Sequence, residues 1–305
     1  MTPFPLDILS DLNIRIETGV ALGPSTWYGV GGPAKVLAHP ASEDQLAALT
    51  QRCLEQNVPV YVLGSGANLL VADEGIEGVV VALDEPFFSG HRIEGTTVIA
   101  GSGYDLQKLV RVTARAGLVG LEVLAGIPGS VGGGIRMNAG GTFGEIGPAV
   151  KRLRLMDANG EIYERHRDNL RFDYRKTNIV ASYILEAEFD LNKEDPEQLV
   201  RRVKEIFLYK KNTQPLAEHS AGCAFKNPMM EPATGRREPA GKLIDQAGLK
   251  GFRIGGAEVS DRHANFIFTH KGGTASDVLA VLDHVQKTIL EHCGIELERE
   301  VVVWP

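Results

Sequence analysis

Glycine placement constrains this chain more than any other feature. The 305 residues include 35 glycines, above the ~7% usual in soluble domains. They cluster as GVGG at 29–32, GSGAN at 64–68, GSG at 101–103 and GIPGSVGGG at 126–134. No Gly-X-Y period runs through them, so neither a collagen helix nor a repetitive linker is written here. Ordering glycine costs more backbone entropy than ordering any other residue. A chain that accepts this cost repeatedly needs bare backbone, either for tight turns or to lie close against a bound group.

GSGAN follows Val60-Tyr61-Val62-Leu63, a run that reads as a buried strand. It looks at first like a Rossmann fingerprint but fails the spacing: Leu69 stands where the third glycine belongs, and LLVADEG does not open a helix. Its consecutive N–H groups suit a nest for pyrophosphate oxygens without a lysine. A tight structural turn is the other reading, and on this motif alone both stand. The stretch GIPGSVGGGIRMNAGGTFGEIG shifts the balance. So long a run with so little bulk makes poor core, and a flat dinucleotide lying along the backbone accounts for both segments.

The bulk properties exclude several classes. A net charge of −7 with pI near 5.7 argues against a nucleic-acid binder. No apolar run approaches the length of a membrane span. The N-terminus MTPFPLDILSDLNIRIETG has early acids and no basic n-region, so it does not read as a signal peptide. A cytoplasmic protein with reduced thiols is expected. The three cysteines, Cys53, Cys223 and Cys293, form no CxxC pair, and the eight histidines show no metal-ligand spacing.

Periodicity gives the elements. A helix is expected over 42–56, with a Ser42/Gln45 capping box and Leu46, Leu49, Cys53 and Leu54 as its apolar face. Strands follow at 60–63, 79–83 and 96–100, then a helix over 105–116. Leu153 and Leu155, an Asp-Ala-Asn-Gly turn, and Ile162-Tyr163 spell a hairpin, and 182–191 alternates as a further strand. A helix starts at Asp195-Pro196 with Leu199, Val200, Val203, Ile206 and Phe207 as its apolar face. The texture then changes, and a domain boundary is expected near 208. Beyond it come a helix at 240–247, a strand at 264–269, a helix at 275–292 and a last strand at 296–303. Cys53 and Cys293 read as packing residues.

At this point eight segments, in order, carry a resemblance: TWYGVGGPA, LGSGANLL, AGIPGSVGGGIRMNAG, YRKTN, SAGCAFKNP, AGKLIDQAGLKG, HANFI and LEREV. Together they resemble the UDP-N-acetylenolpyruvoylglucosamine reductases of bacterial peptidoglycan precursor synthesis. The resemblance implies an α+β / α/β fold. Its vanillyl-alcohol-oxidase-type FAD-binding module has two subdomains, 1–75 and 76–207, followed by a smaller α/β substrate-binding domain over 208–305. It implies noncovalent FAD, NADPH as co-substrate, a small UDP-sugar substrate and a monomer, with no nucleic-acid or membrane partner. FAD contacts carry over to Gly64, Ser65, Gly66, Ala67 and Asn68, and to Gly126, Ile127, Pro128, Gly129, Gly132, Gly133 and Asn138. One form of the family inserts a tyrosine-bearing loop after its catalytic arginine. Here Arg175 leads through KTNIVA straight into SYILEAEFDL, so this is the shorter, second type.

The implied reaction reduces a C=C bond beside a carboxylate. Charge builds toward that carboxylate, and the adjacent carbon needs a proton. By family position Arg175 forks onto the carboxylate, Glu300 orients the substrate with Glu298 as its rival, and Cys223 stands where many relatives have a serine proton donor. A thiol, with a reference pKa of about 8.5, is a stronger acid than an alcohol and still protonates a carbanion. An arginine beside it should depress that pKa and weaken donation at mildly alkaline pH. Apart from the resemblance, Arg175 could serve a surface ion pair, Glu300 an exposed strand and Cys223 a small buried position. Tyr174, Lys211 and Asn227 are expected near the substrate, although Lys211 sits in a KK pair that solvent alone would explain. His263 reads equally as a substrate contact or a structural histidine. Two rival functions are an oxidase of the same fold and a non-catalytic flavin- or UDP-sugar-binding regulator.

Overall fold

Apolar alternation in the first two-thirds of the chain resolves into two sheets. The computed structural model describes residues 6–305, so the first residues of the expected leader-free N-terminus lie outside the described residues. The first sheet holds β1 (Arg15–Ala21), β2 (Pro33–His39), β3 (Val60–Leu63) and β5 (Ile76–Ala82), in the order β1-β2-β5-β3. β4 (Leu69–Val71) is not part of it. β3 and β5 pair in parallel, Val60 against Val79 and Leu63 against Ala82. β3 is an edge strand, which leaves Val62 39% exposed where a buried strand was expected. β5 is the buried one. This pairing carries the first sheet past residue 75, where the first subdomain was expected to end.

The second sheet is five-stranded and antiparallel. Its order is Ile162–His166, Val150–Met156, Tyr183–Asp190, β7 (Thr97–Gly101) and β6 (His91–Glu94). The expected hairpin is present: Leu155 pairs with Tyr163 and Met156 with Ile162, around a turn in which the Asp157 carboxylate accepts from the Asn159 and Glu161 N–H groups. Helix α1 (Glu43–Glu55) starts at the expected cap, with Ser42 accepting from the Gln45 N–H, but the Gln45 side chain accepts from the Ala41 N–H and not from that of Ser42, so only half of the expected capping box forms. It buries Leu46, Leu49 and Cys53, while Leu54, at the flank of that face in the last turn, is 51% exposed. Burial pushes the Cys53 thiol up to about 11, as suits a packing residue.

By its contacts the chain divides into two units. The first contains residues up to Val20 together with 34–65 and 77–209, and thus both sheets, α1, α2 (Leu106–Arg115) and α3 (Val131–Arg136). The second contains 21–33, 66–76 and 210–305. The helix α4 (Pro196–Thr213) runs unbroken through the boundary expected at 208. Its Leu199 and Ile206 are buried, but Val200 and Phe207 are 45% and 44% exposed. Positions 199, 203 and 206 share one helical face, whereas 200 and 207 lie on its flank.

The second unit is built on α5 (Ala240–Gln246), α6 (Ala275–Cys293) and a three-stranded antiparallel sheet of Arg253–Ile254, Ala257–Val259 and Ile267–Thr269. A Thr274/Asp277 capping box opens α6, and left-handed Gly294 closes it. Asp73 adds a second anchor, its carboxylate accepting from the Ala275 and Ser276 N–H groups at 2.8 and 2.9 Å. Cys293, expected to pack, is exposed because α6 ends beyond its core residues at Cys293 itself.

Two expected strands are shorter than their patterns. Only Ile267–Thr269 is a strand, because Asn265 and Phe266 pair instead with the segment around Cys223. The last strand is Val302–Trp304, parallel to β4, because 298–300 are taken by a different partner described below.

Candidate active site

The two long glycine segments meet in the first unit. A Cβ on Gly64, just after β3, would fall 2.7 Å from the Ser130 hydroxyl. Bare backbone is therefore what allows the loops to touch. Gly64 and Ser65 are exposed, and the Gly129 Cα faces open space at a φ of 149° that favours glycine. Ile127 and Pro128 are half-buried, and Ile127 rests on the core. This exposed, unsubstituted backbone fits a flat cofactor laid against it. Bulk on Gly129 would project into such a group, whereas bulk on Gly64 would strike Ser130.

Several glycines serve the protein itself. Gly132 donates to the Ser102 carbonyl at 2.8 Å, and a Cβ there would fall 2.7 Å from Ser102 Cβ. The Gly133 N–H goes to the Ser130 side chain at 3.3 Å. Gly66, expected against the cofactor, is buried in the second unit with a φ of 65°. Its Cβ would fall 2.0 Å from the Ser25 carbonyl oxygen, and its own carbonyl accepts from the Trp27 N–H. The glycine is there to let the 23–29 segment pass. Ala67 beside it is half-buried.

Gln107 is a residue that sequence reading missed. From α2 its side chain accepts from the Gly126 N–H at 2.7 Å and donates to the Leu124 and Ile127 carbonyls at 3.0 and 2.6 Å. One amide thereby fixes the turn in which Gly126 has φ 76°. Its signal was a lone amide beside the inward Leu106 of an amphipathic helix. Gln107→Ala should weaken flavin binding about tenfold or more by releasing this turn, since three hydrogen bonds at about 1 kcal/mol each are lost. Titration of flavin fluorescence measures it; an unchanged affinity would show that the turn holds its shape without the clamp.

Tyr174 and Arg175 form the two-residue turn of a small hairpin, Phe172–Asp173 against Lys176–Thr177. Both are half-buried, and the Arg175 guanidinium carbon lies 5.1 Å from the Tyr174 ring centre. Arg175 has a φ of 54°, uncommon for a residue with a side chain. Backbone of this kind persists where the surroundings over-determine it, and such sites are often functional. Here the surroundings are the end of the glycine segment. Asn138 donates to the Asp173 carbonyl at 2.9 Å, Thr177 donates to the Arg136 carbonyl at 3.4 Å, and Arg136 donates to the Ile179 and Ala181 carbonyls at 2.9 and 2.7 Å. Asn138, expected to touch the cofactor, is fully buried with both ends of its amide engaged in the protein.

In the second unit Cys223 lies beside Glu300. The Glu300 N–H donates to the Ala224 carbonyl at 2.8 Å, the Lys226 N–H donates to the Glu298 carbonyl, and Phe225 bridges Arg299. Glu300 thus faces Ala224 in a short antiparallel ladder, and Cys223, the residue before Ala224, bridges Phe266; Cys223 and Glu300 are both half-buried. Glu298, two residues before Glu300 and on the same face of the ladder, is exposed and ion-paired to Lys226. Asn68 donates to the Glu300 carbonyl at 3.0 Å, so its amide supports the ladder and not, as expected, the cofactor. The Asn227 oxygen accepts from the Ala240 N–H at the start of α5. Lys211 is exposed, whereas its neighbour Lys210 is 6% exposed. Burial lowers the His263 pKa, and its Nδ1 accepts from the Asn265 N–H at 3.3 Å, the pattern of a structural histidine. Among the described residues no cluster could hold a metal ion, and no helix is long and apolar enough to cross a membrane.

Known proteins resemble this chain over most of its length. A family model described as UDP-N-acetylenolpyruvoylglucosamine reductase, C-terminal domain, matches residues 214–304, and one described as FAD binding domain matches 34–165. The reductase of Heliobacterium modesticaldum is 42% identical over 281 residues, covering 92% of this chain and 87% of the relative. The crystal structure of the reductase from Thermus caldophilus matches with TM-score 0.81 at 36% identity, over 96% of this chain and all of that one. A berberine bridge enzyme variant, at TM-score 0.50 and 16% identity over 63% of this chain and 44% of its own, shares the fold alone. The expected vanillyl-alcohol-oxidase-type module with bound FAD is therefore borne out. On these matches the chain belongs to the UDP-N-acetylenolpyruvoylglucosamine reductase family, FAD-dependent oxidoreductases that reduce an enolpyruvyl UDP-sugar in peptidoglycan precursor synthesis.

Proposed function

We propose that this chain reduces UDP-N-acetylglucosamine enolpyruvate to UDP-N-acetylmuramate at the expense of NADPH, with Arg175, Cys223 and Glu300 as its catalytic residues. The observation that supports the assignment is the short ladder of 224–226 against 298–300, which carries Glu300 opposite Ala224, the residue next to Cys223. Bound FAD supplies the hydride that reaches the vinyl carbon. Arg175 holds the substrate carboxylate by its planar fork of donors and stabilises the charge that builds there. Cys223 gives its proton to the adjacent carbon. Glu300, fixed through its backbone by Ala224 and Asn68, orients the substrate.

Gly64, Ser65, Gly129 and the Gly126 turn hold the cofactor through backbone. Tyr174 lines the pocket beside Arg175. Lys211 meets the diphosphate, and Asn227, whose side-chain oxygen caps α5, lies near the sugar.

Anaerobic mixing tests the reading. The purified protein should carry the visible flavin band, lose it on NADPH addition and regain it when the enolpyruvyl substrate is added. A reduced flavin that reoxidises only in O₂ would assign the chain to oxidase chemistry instead. A colourless protein indifferent to flavin would end both.

A further inference from the structure

We infer that Asn138 is a positioning residue for the reduction, setting the turn that carries Arg175 through the hydrogen bond from its amide to the Asp173 carbonyl. The inference rests on the reading of Arg175 as the group that holds the substrate carboxylate.

The side chain of Asn138 is 0% exposed. Its two partners fix which way the amide points: the Gly147 N–H at 3.1 Å requires the oxygen, and the Asp173 carbonyl at 2.9 Å requires the nitrogen. Neither end is left to reach a cofactor. Its φ of 44° is one that asparagine tolerates better than most residues. The strained Arg175 peptide begins one residue after Asp173, so the amide grips the chain at the base of the turn. The other strand of the hairpin is tied to the same segment by the Thr177 hydroxyl on the Arg136 carbonyl. The backbone that starts at the Gly64–Ser130 contact therefore ends by gripping the arginine turn on both sides. A cofactor seated on the first part and a carboxylate held by the second share one ruler. Displacement of a catalytic group by ~1 Å is enough to cost about 100-fold in rate.

Two holoenzyme variants test this. Asn138→Asp keeps the shape and the Gly147 bond but has no donor for the Asp173 carbonyl. Asn138→Gly suits the positive φ and removes both bonds, and it carries the comparison if a buried carboxylate prevents the first variant from folding. Flavin content and the rate of flavin reduction by NADPH should stay within about twofold. Reoxidation of photoreduced flavin by saturating enolpyruvyl substrate should slow by about 10- to 100-fold. Combined with Arg175→Ala, the variant should be no slower than Arg175→Ala alone, because both act through one group. Slowing that multiplies with Arg175→Ala, or that affects flavin reduction equally, would overturn the inference, as would wild-type reoxidation in the variants. Arg175→Ala reoxidising at the wild-type rate is a separate result: it sinks the arginine reading, and this inference with it.

Discussion

Cys223→Ala should slow transfer from reduced flavin to substrate by about 10³-fold, while Cys223→Ser stays within about tenfold of the wild type; positioned general acids contribute roughly 10²–10⁴. The thiol is half-buried, next to Ala224, whose carbonyl holds Glu300. Alanine removes the proton and almost no packing, so stability and flavin content should not change. Serine restores a donor of similar size. Single-turnover stopped flow on photoreduced protein isolates the step from NADPH binding. Alkylation provides a second measurement, best made on a Cys293→Ser background because Cys293 is exposed, whereas Cys53 is buried with its thiol pushed up to about 11. Inactivation should track loss of one thiol, with substrate protecting. An alanine variant that reoxidises at the wild-type rate would move the proton donor elsewhere, and serine matching alanine would mean that protic character at 223 is irrelevant.

Gly66→Ala should destabilise the protein by more than about 4 kcal/mol, a size reached by few single substitutions. Two costs combine. The φ of 65° penalises any side chain by about 1 kcal/mol, and the new Cβ would sit 2.0 Å from the Ser25 carbonyl oxygen and 2.8 Å from Thr26 Cα. Those are backbone atoms, and they cannot swing aside. Thr26 is itself pinned by its hydroxyl to the Gly23 and Val30 carbonyls at 3.0 Å each. Chemical denaturation against Gly141→Ala as control measures the cost. Gly141 has no atom within 4 Å of its Cβ direction, so that variant should lie within about 0.5 kcal/mol of wild type. A Gly66→Ala protein of ordinary stability that fails only to retain FAD would return this glycine to the cofactor.

The two glycine motifs were legible as a pair, since long unsubstituted backbone has few uses in a core. What each glycine does was not legible. Gly129 presents open backbone, whereas Gly64, Gly66 and Gly132 let one segment approach another closely, and only three dimensions separate these uses. The amides were misread for the same reason. Asn68 and Asn138 sit inside cofactor motifs yet spend their side chains on Glu300 and Asp173, partners distant in sequence. Helices α1 and α6 were readable because their period and their caps at Ser42 and Thr274 are local, whereas α5 takes its cap from Asn227. The last strand was not, because 298–300 alternate as a strand should but pair with the Cys223 segment.

The parallel pairing of Val302–Trp304 with Leu69–Val71, and the Asn68 bond to Glu300 across 232 residues, bear on how the protein is born. Val302–Trp304 is made more than two hundred residues after β4, so β4 waits unpaired until that strand emerges. The first unit draws its residues from 209 and earlier and has its own core before that point. Loop closure over such a span is slow, and domains tend to fold in the order they emerge. A flavin-ready module should therefore exist on the nascent chain before the rung bearing Glu300 arrives, so acquisition of reductase activity waits on that segment.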